Sequence, residues 1–251
     1  MKRFICFSLL LVLFSCQSGH LRFKDIPING SVESFSRELE KKGLEISETA
    51  RSFSDINGKN VIIGQVLFEG EYVWRSEEIT LLPTARIQVY GTKITGSVYR
   101  VDKSFERSHL GRNTYYYDVD GFVSYMELLS SKYGEPILKK VYDYVDVSDI
   151  DDILAGNDIT MEDFKDTIAE PLKKREFRWV WAFGDYYCSL FEAKQGYILL
   201  RLWLSIDPLG DAEDVDSSLE IQYLDKKNSL KAPIEEIKYE EIKKGEILRD
   251  L

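Results

Sequence analysis

The chain is poor in the side chains on which most catalytic sites are built. Its 251 residues include three cysteines and two histidines, His20 and His109, so a histidine-rich metal site is excluded. The sequence has no Gly-x-Ser-x-Gly or His-Glu-x-x-His motif and no phosphate-binding glycine loop. We therefore predict no catalytic residue, no metal ligand and no cofactor.

Acidic residues, by contrast, are abundant, and they exclude one class of partner. Asp and Glu number 43 against 33 Lys and Arg, which gives a formal net charge of −10 at pH 7. Phosphate backbones repel such a surface, so we do not expect a nucleic-acid partner. Paired carboxylates for glycoside hydrolysis stay open as an alternative, because such pairs are distant in sequence.

The first sixteen residues have the organisation of a secretory signal. Two basic residues precede an apolar run over 4–14, which is half of the ~20 residues that span a bilayer. Ser15 and Cys16 follow. This arrangement resembles the lipobox of bacterial lipoproteins, in which the cysteine is lipidated and the chain is cleaved before it. The resemblance implies a signal peptide at 1–15 and a lipid on Cys16; the alternative is an ordinary signal peptide with an incidental cysteine.

Cleavage there would leave one other cysteine. Cys6 would be lost and Cys16 acylated, so Cys188 would stand alone and no intramolecular disulfide could form. Cys188 lies in a segment typical of a β-strand, which favours a buried, unreactive thiol. The remaining 236 residues would carry a net charge of −12 and suffice for one large domain or two small ones.

After a predicted lipid tether over 16–22, a first unit spans 23–103. Ser31 can cap a helix over 32–42, which Gly43 ends. A polar stretch leads to an Asn-Gly turn. The strands of an antiparallel meander are then predicted over 61–68, 71–80, 86–90 and 93–101.

A basic connector over 104–117 precedes a second unit over 118–228. Its helix is predicted over 121–132, capped by Asp118 or Asp120, with an apolar stripe of Phe122, Tyr125, Leu128 and Leu129. Strands are predicted over 137–144, 175–183, 186–193, 197–206 and 218–224, with tight turns at Gly184-Asp185 and Gln195-Gly196.

The order of helix and then meander, twice over, predicts an α+β fold of two tandem helix-plus-antiparallel-sheet units. Either a duplication or the commonness of this arrangement would explain the order. An acidic insertion over 145–174 interrupts the second unit and contains a short helix that begins at Thr160. The charged tail over 229–251 is predicted to be a frayed helix or disordered.

The acidic insertion invites comparison with a calcium-binding loop, but its register does not fit. An EF-hand needs oxygen ligands at positions 1, 3 and 5 and glycine at position 6. Counted from Asp149, those last two positions hold Ile153 and Leu154. A solvated loop is therefore favoured for the insertion's carboxylates, Asp149, Asp151, Asp152 and Asp158.

The strand predicted over 197–206 has two chemically different faces. Its even-numbered residues are aliphatic and should meet the helices, because helices normally cover one face of an antiparallel sheet. Tyr197, Arg201 and Trp203 then lie on the other face, in a composition typical of contact surfaces. We predict that these three contact a partner. The alternative is that the insertion or the other half of the chain covers this face.

Residues 23–31 (Phe-Lys-Asp-Ile-Pro-Ile-Asn-Gly-Ser) and 221–228 (Ile-Gln-Tyr-Leu-Asp-Lys-Lys-Asn) resemble lipoproteins of Gram-negative anaerobic gut bacteria that have no assigned activity. The resemblance implies a lipid-anchored outer-membrane protein. In such bacteria, acidic residues after the lipidated cysteine are associated with export to the cell surface. Residues 17–20 have none, which implies a periplasm-facing position.

The predicted order of elements is also similar to that of β-lactamase-inhibitor-protein-like folds, in which an open sheet face binds a partner. The sequence therefore favours a non-enzymatic envelope lipoprotein that binds an envelope protein or a glycan. The alternative is a hydrolase or glycan-handling lipoprotein that uses scattered carboxylates and Trp or Tyr. A cleft with two close carboxylates would favour the enzyme, and a broad aromatic-arginine face the binding module.

Overall fold

One large antiparallel sheet organises the chain. The computed structural model describes residues 19–70, 84–106, 114–142, 157–164, 183–206 and 215–249. Two helices, α1 (Val32–Glu40) and α2 (Thr114–Tyr133), pack on the sheet. Two short helices, α3 (Met161–Phe164) and α4 (Lys226–Ser229), and a C-terminal helix, α5 (Ala232–Arg249), complete the described helices. The class is thus α+β, as predicted.

The described strands form two sheets. In chain order they are β1 (Arg22–Phe23), β2 (Ile26–Pro27), β3 (Glu45–Ile56), β4 (Lys59–Glu69), β5 (Thr84–Gly91), β6 (Val98–Glu106), β7 (Leu138–Tyr142), β8 (Asn157–Asp158), β9 (Phe183–Ala193), β10 (Gly196–Ile206) and β11 (Val215–Asp225). β1 and β2 pair as a small hairpin, and the other nine lie in the order β3-β4-β5-β6-β11-β10-β9-β7-β8.

Helix α1 forms where local signals predicted it. The Ser31 hydroxyl accepts a hydrogen bond from the Ser34 N–H at 3.2 Å and so caps the first turn. Val32, Phe35 and Leu39 are buried at helical spacing against the sheet. Gly43 has a φ of +87°, the left-handed conformation that commonly follows a helix.

The first meander differs from the prediction at its beginning. No strand is predicted in the polar stretch over 49–59, but most of this stretch belongs to β3. β3 lies at the edge of the sheet, where many side chains are exposed and can be polar. Asn57 and Gly58 both have positive φ and connect β3 to β4 in a two-residue turn. β6 begins at Val98, so residues 93–95 form a turn instead of a strand, and Ser97 makes an isolated bridge to Ser31. The strand predicted over 71–80 lies outside the described residues.

Helix α2 is longer than predicted. It begins at Thr114, so residues 114–117 belong to the helix, and residues 104–106 belong to β6. The predicted connector over 104–117 was therefore too long at both ends. Tertiary packing can place residues of modest helix propensity, such as tyrosine, in a helix. The buried stripe is Val119, Phe122, Met126 and Leu129. Leu128, which was predicted to lie in this stripe, is 60% exposed.

In the second half, β9, β10 and β11 confirm the strands predicted over 186–193, 197–206 and 218–224. The turn before Gly196 is also confirmed. The hairpin at Gly184-Asp185 was wrong, because both residues lie within β9. Leu204 pairs with Asp185 and Ser205 with Phe183, so Gly184 is the extra residue of a bulge. The predicted strand over 175–183 lies outside the described residues except for Phe183.

The two helices share one hydrophobic core on one face of the sheet. Ile198, Leu200, Leu202 and Leu204 of β10 are completely buried there, which confirms the predicted aliphatic face. Phe35 of α1 and Phe122 of α2 belong to the same cluster of buried side chains. We call the side covered by α1 and α2 the first face and the opposite side the second face.

The N-terminal segment is fixed to the body through a buried carboxylate. Asp225 is fully buried and accepts hydrogen bonds from the backbone N–H groups of Leu21 and Asn228, each at 2.8 Å. Nδ1 of His20 lies 3.2 Å from the same carboxylate. Leu21 is 3% exposed, so the tether predicted over 16–22 was too long: from His20 onward the chain belongs to the folded body.

The remaining segments complete the description. Helix α3 confirms the short helix predicted after Thr160, and α5 shows that the charged tail is helical over most of its length. None of the residues of α5 is buried. Among the described helices, none is both long and apolar enough to cross a membrane.

Asp225→Ala should lower the free energy of unfolding by about 3 kcal/mol, because it leaves two buried N–H donors without an acceptor. Asp225→Asn keeps one acceptor oxygen and should lose roughly half as much. Urea unfolding followed by circular dichroism gives both values. An alanine variant as stable as the wild type would show that this carboxylate does not hold the N-terminal segment.

Candidate functional site

Two arginine–carboxylate pairs occupy the middle of the second face. Arg100 of β6 donates from Nε and Nη2 to the two oxygens of Asp102, at 2.7 and 2.5 Å. Arg201 of β10 donates to Glu220 of β11. The pairs are neighbours because β6 and β11 are hydrogen-bonded, with Ser104 opposite Glu220. One pair therefore comes from each half of the chain.

Each arginine also lies over a tyrosine. The Arg100 guanidinium is 4.7 Å from the centre of the Tyr90 ring, and that of Arg201 is 5.9 Å from the Tyr186 ring. Such cation–π contacts fix the plane of the guanidinium and strengthen as water is removed. The two arginines are held in place from two sides, by a carboxylate and by a ring.

Burial shifts the pKa values of the charged side chains in these pairs. Burial raises the pKa of Asp102 to about 6, even though the Arg100 guanidinium acts to lower it, and the charge of Glu220 adds to the rise. Burial alone would lower the pKa of Arg100, but its hydrogen bond to Asp102 outweighs this and raises the pKa. Both arginines therefore stay charged although most of each side chain is buried from water.

The three residues predicted to contact a partner all lie on the second face. Tyr197, Arg201 and Trp203 are half-buried on β10, and Trp203 pairs across the ladder with Tyr186. Leu199, between them, is 7% exposed. This side of β9 and β10 is thus partly removed from solvent, while the three predicted residues each keep some exposed surface.

The indole N–H of Trp203 has no partner among the described residues. Nε1 of Trp203 is buried, and no residue that the structure describes accepts a hydrogen bond from it. A buried N–H without an acceptor costs about 1–3 kcal/mol, so native proteins seldom keep one.

Sequence reasoning missed several members of the face. Arg100 and Asp102 are two residues apart on one strand, which places both side chains on the same side of a sheet. That spacing could have identified the pair, but the strand was predicted to end at Val101, between them. The remaining missed members are Tyr90, Tyr186 and Glu220.

Cys188 is also on this face, and it is 2% exposed. Burial raises the pKa of its thiol to about 12, so little thiolate exists at neutral pH. The prediction of a buried, unreactive cysteine is confirmed. The other cysteine of interest, Cys16, lies outside the described residues.

Neither a metal site nor a carboxylate-lined pocket emerges from the described residues. Among them, no three His, Cys, Asp or Glu side chains are placed to hold a metal ion. Asp158 is exposed, and the other carboxylates considered for calcium lie outside the described ranges. A small pocket beside α2 and α3 is lined by Phe122, Phe164, Tyr187 and their neighbours, with no carboxylate among its lining residues.

The raised pKa of Asp102 makes a pH-dependent contribution to stability. The folded chain holds this proton more tightly than the unfolded chain, so the stabilisation is present below about pH 4 and is lost as the pH rises through about 6. Relative to Asp102→Asn, the wild type should lose on the order of 2 kcal/mol between pH 4 and pH 7. Urea unfolding at both pH values measures this difference.

The matched control is Glu48→Gln, which removes one negative charge at an exposed site of β3. A wild type whose advantage over Asp102→Asn is the same at both pH values would contradict the assignment of this proton to Asp102.

Comparison with known proteins does not indicate a function for this chain. No family model, curated protein sequence or solved structure matches the chain. The function must therefore be argued from the chemistry of its residues.

Proposed function

We propose that the chain is an outer-membrane lipoprotein, anchored through a lipid on Cys16 and facing the periplasm, that binds a protein or glycan partner with its second face. The anchor is supported by the lipobox-like residues before Cys16 and by the similarity of residues 23–31 and 221–228 to gut-bacterial lipoproteins. No catalytic step is part of this function.

The observation that carries the proposal is the composition of the second face. Two arginines are each fixed by a carboxylate and a tyrosine ring, and the partly exposed ring of Trp203 lies on the same face. Side chains that are already ordered lose little entropy on binding, which favours affinity. Trp, Tyr and Arg are also the residues that most often dominate binding energy.

The order of elements supports a further part of the proposal, that the chain consists of two tandem helix-plus-meander units. Helix α1 is followed by β3 to β6, and α2 by β7, β9, β10 and β11. The last strand of each series, β6 and β11, meet in the middle of the sheet. In this arrangement, each unit contributes one arginine–carboxylate pair to a shared binding face.

Burial argues against the hydrolase alternative at the carboxylates of this face. Asp102 is 4% exposed and gives both oxygens to Arg100, so a substrate could not approach it without breaking that pair. Glu220 is likewise paired with Arg201. A general acid or base needs hydrogen-bond access to the atom that gains or loses its proton. These groups are placed to hold the arginines.

Substitution of Trp203 tests the binding face. We expect Trp203→Ala to weaken binding at least tenfold, because it removes the exposed part of the ring. Trp203→Phe keeps a smaller aromatic ring, and it should bind more weakly than the wild type while unfolding within about 1.5 kcal/mol of it. The partner is first captured by cross-linking the wild type in outer membranes, and affinities are then measured by titration.

Phe53→Ala is the control, because Phe53 is 53% exposed on the edge strand β3, away from the second face. It should leave the affinity unchanged. The proposal fails if both Trp203 variants bind like the wild type, or if Trp203→Ala loses about 3 kcal/mol or more of stability, which would mark the ring as core.

A further inference from the structure

Helix α5 contacts the body through polar interactions at its beginning. The Glu235 carboxylate accepts hydrogen bonds from the backbone N–H groups of Ile94 and Thr95, both at 2.9 Å, and from the Thr95 hydroxyl. The Lys93 ammonium lies 5.6 Å from the Tyr239 ring and 3.8 Å from Glu236. These contacts fasten the beginning of α5 to the turn between β5 and β6.

Helix α5 begins at this end of the sheet, beside the turn between β5 and β6. A helix of 18 residues is about 27 Å long, enough to cross the ends of several strands. We call this end of the sheet, with its turns at 57–58, 92–97 and 194–195, the base.

The outward side of α5 carries apolar residues. Its partly buried positions, Ala232, Glu235, Tyr239, Ile242, Lys243, Gly245 and Glu246, recur at helical spacing and define the side that meets the body. Ile234, Ile237 and Leu248 lie on the opposite side and are 54%, 62% and 73% exposed. Exposed Glu240, Glu241 and Lys244 lie on the same outward side. Apolar residues thus occur on both sides of α5, whereas a surface helix normally concentrates them on the side buried against the core.

The expected position of the lipid lies at the same end of the molecule. Asp225 ends β11 at the base and holds Leu21, and it also caps α4. Only three residues separate Cys16 from His20, so at full extension the lipidated residue is within about 14 Å of the fixed segment. Helix α5 begins at Ala232, seven residues after Asp225. The expected anchor and the beginning of α5 are therefore at the same end of the sheet.

We propose that the base faces the bilayer and that the outward side of α5 lies in the lipid headgroup layer. The inference rests on the proposed lipidation of Cys16. Residues 226–231, which connect β11 to α5 at the base, contain three exposed lysines and no acidic residue, in a chain whose net charge is strongly negative. Helix α5 itself has four Lys or Arg and five Glu, so the local positive excess lies just before the helix. This local excess suits an anionic lipid surface, and helices that lie in the interface insert apolar side chains while they keep their charged groups in water. The second face would then point sideways from the membrane.

Spin labels on the full lipidated chain test this orientation. A label at Ile237→Cys reports the outward side of α5, and one at Lys42→Cys reports an exposed site just before β3, at the opposite end of the sheet. Cys188 is buried and will not react, so each label is unique. The protein is reconstituted into vesicles of phosphatidylethanolamine and phosphatidylglycerol, and collision rates with oxygen and with a water-soluble nickel chelate are measured.

We expect the ratio of oxygen to nickel collisions to be severalfold higher at position 237 than at position 42. Equal, water-like ratios in a chain that floats with the vesicles would overturn the inference and leave the lipoprotein proposal intact. So would spin–spin broadening at position 237 that dilution with unlabelled chain removes, because it would place a second copy on α5. An intact mass without lipid would instead overturn the proposed anchor, and with it the membrane orientation.

Discussion

The pairing of β6 with β11 is the constraint on which the rest of the structure depends. Residues 100–104 pair with residues 220–224 and join two sets of strands into one sheet. On the first face, this continuity lets α1 and α2 bury side chains in one shared core. On the second face, it places the Arg100–Asp102 pair beside the Arg201–Glu220 pair.

The two faces therefore have opposite chemistry. The first face gains its stability from complete burial of aliphatic and aromatic side chains, which is the dominant favourable contribution to folding. The second face holds charged side chains that are partly buried. An unpaired charge would cost several kcal/mol there, so each arginine needs its carboxylate. Such a face is costly to build for stability alone, and this cost supports the proposal that it is a binding surface.

Local signals predicted the elements of this fold better than their arrangement. Ser31, Gly43 and the buried spacing of α1 specify a helix within a few residues, and the alternation of β10 identified both of its faces. β3 was missed because an edge strand need not show an apolar pattern, and a glycine that bulges β9 was mistaken for a turn. The β6–β11 pairing joins segments more than a hundred residues apart, so neither it nor the charged group that it creates could be predicted from local sequence patterns.

Amide hydrogen exchange across this junction tests the account most directly. If β6 and β11 hold the sheet together, the amides of residues 100–104 and 220–224 should exchange as slowly as those of β5 and β10, through unfolding of the whole domain. Rapid exchange of both segments, with β5 and β10 still protected, would show two halves that separate. The second face would then not be a single surface.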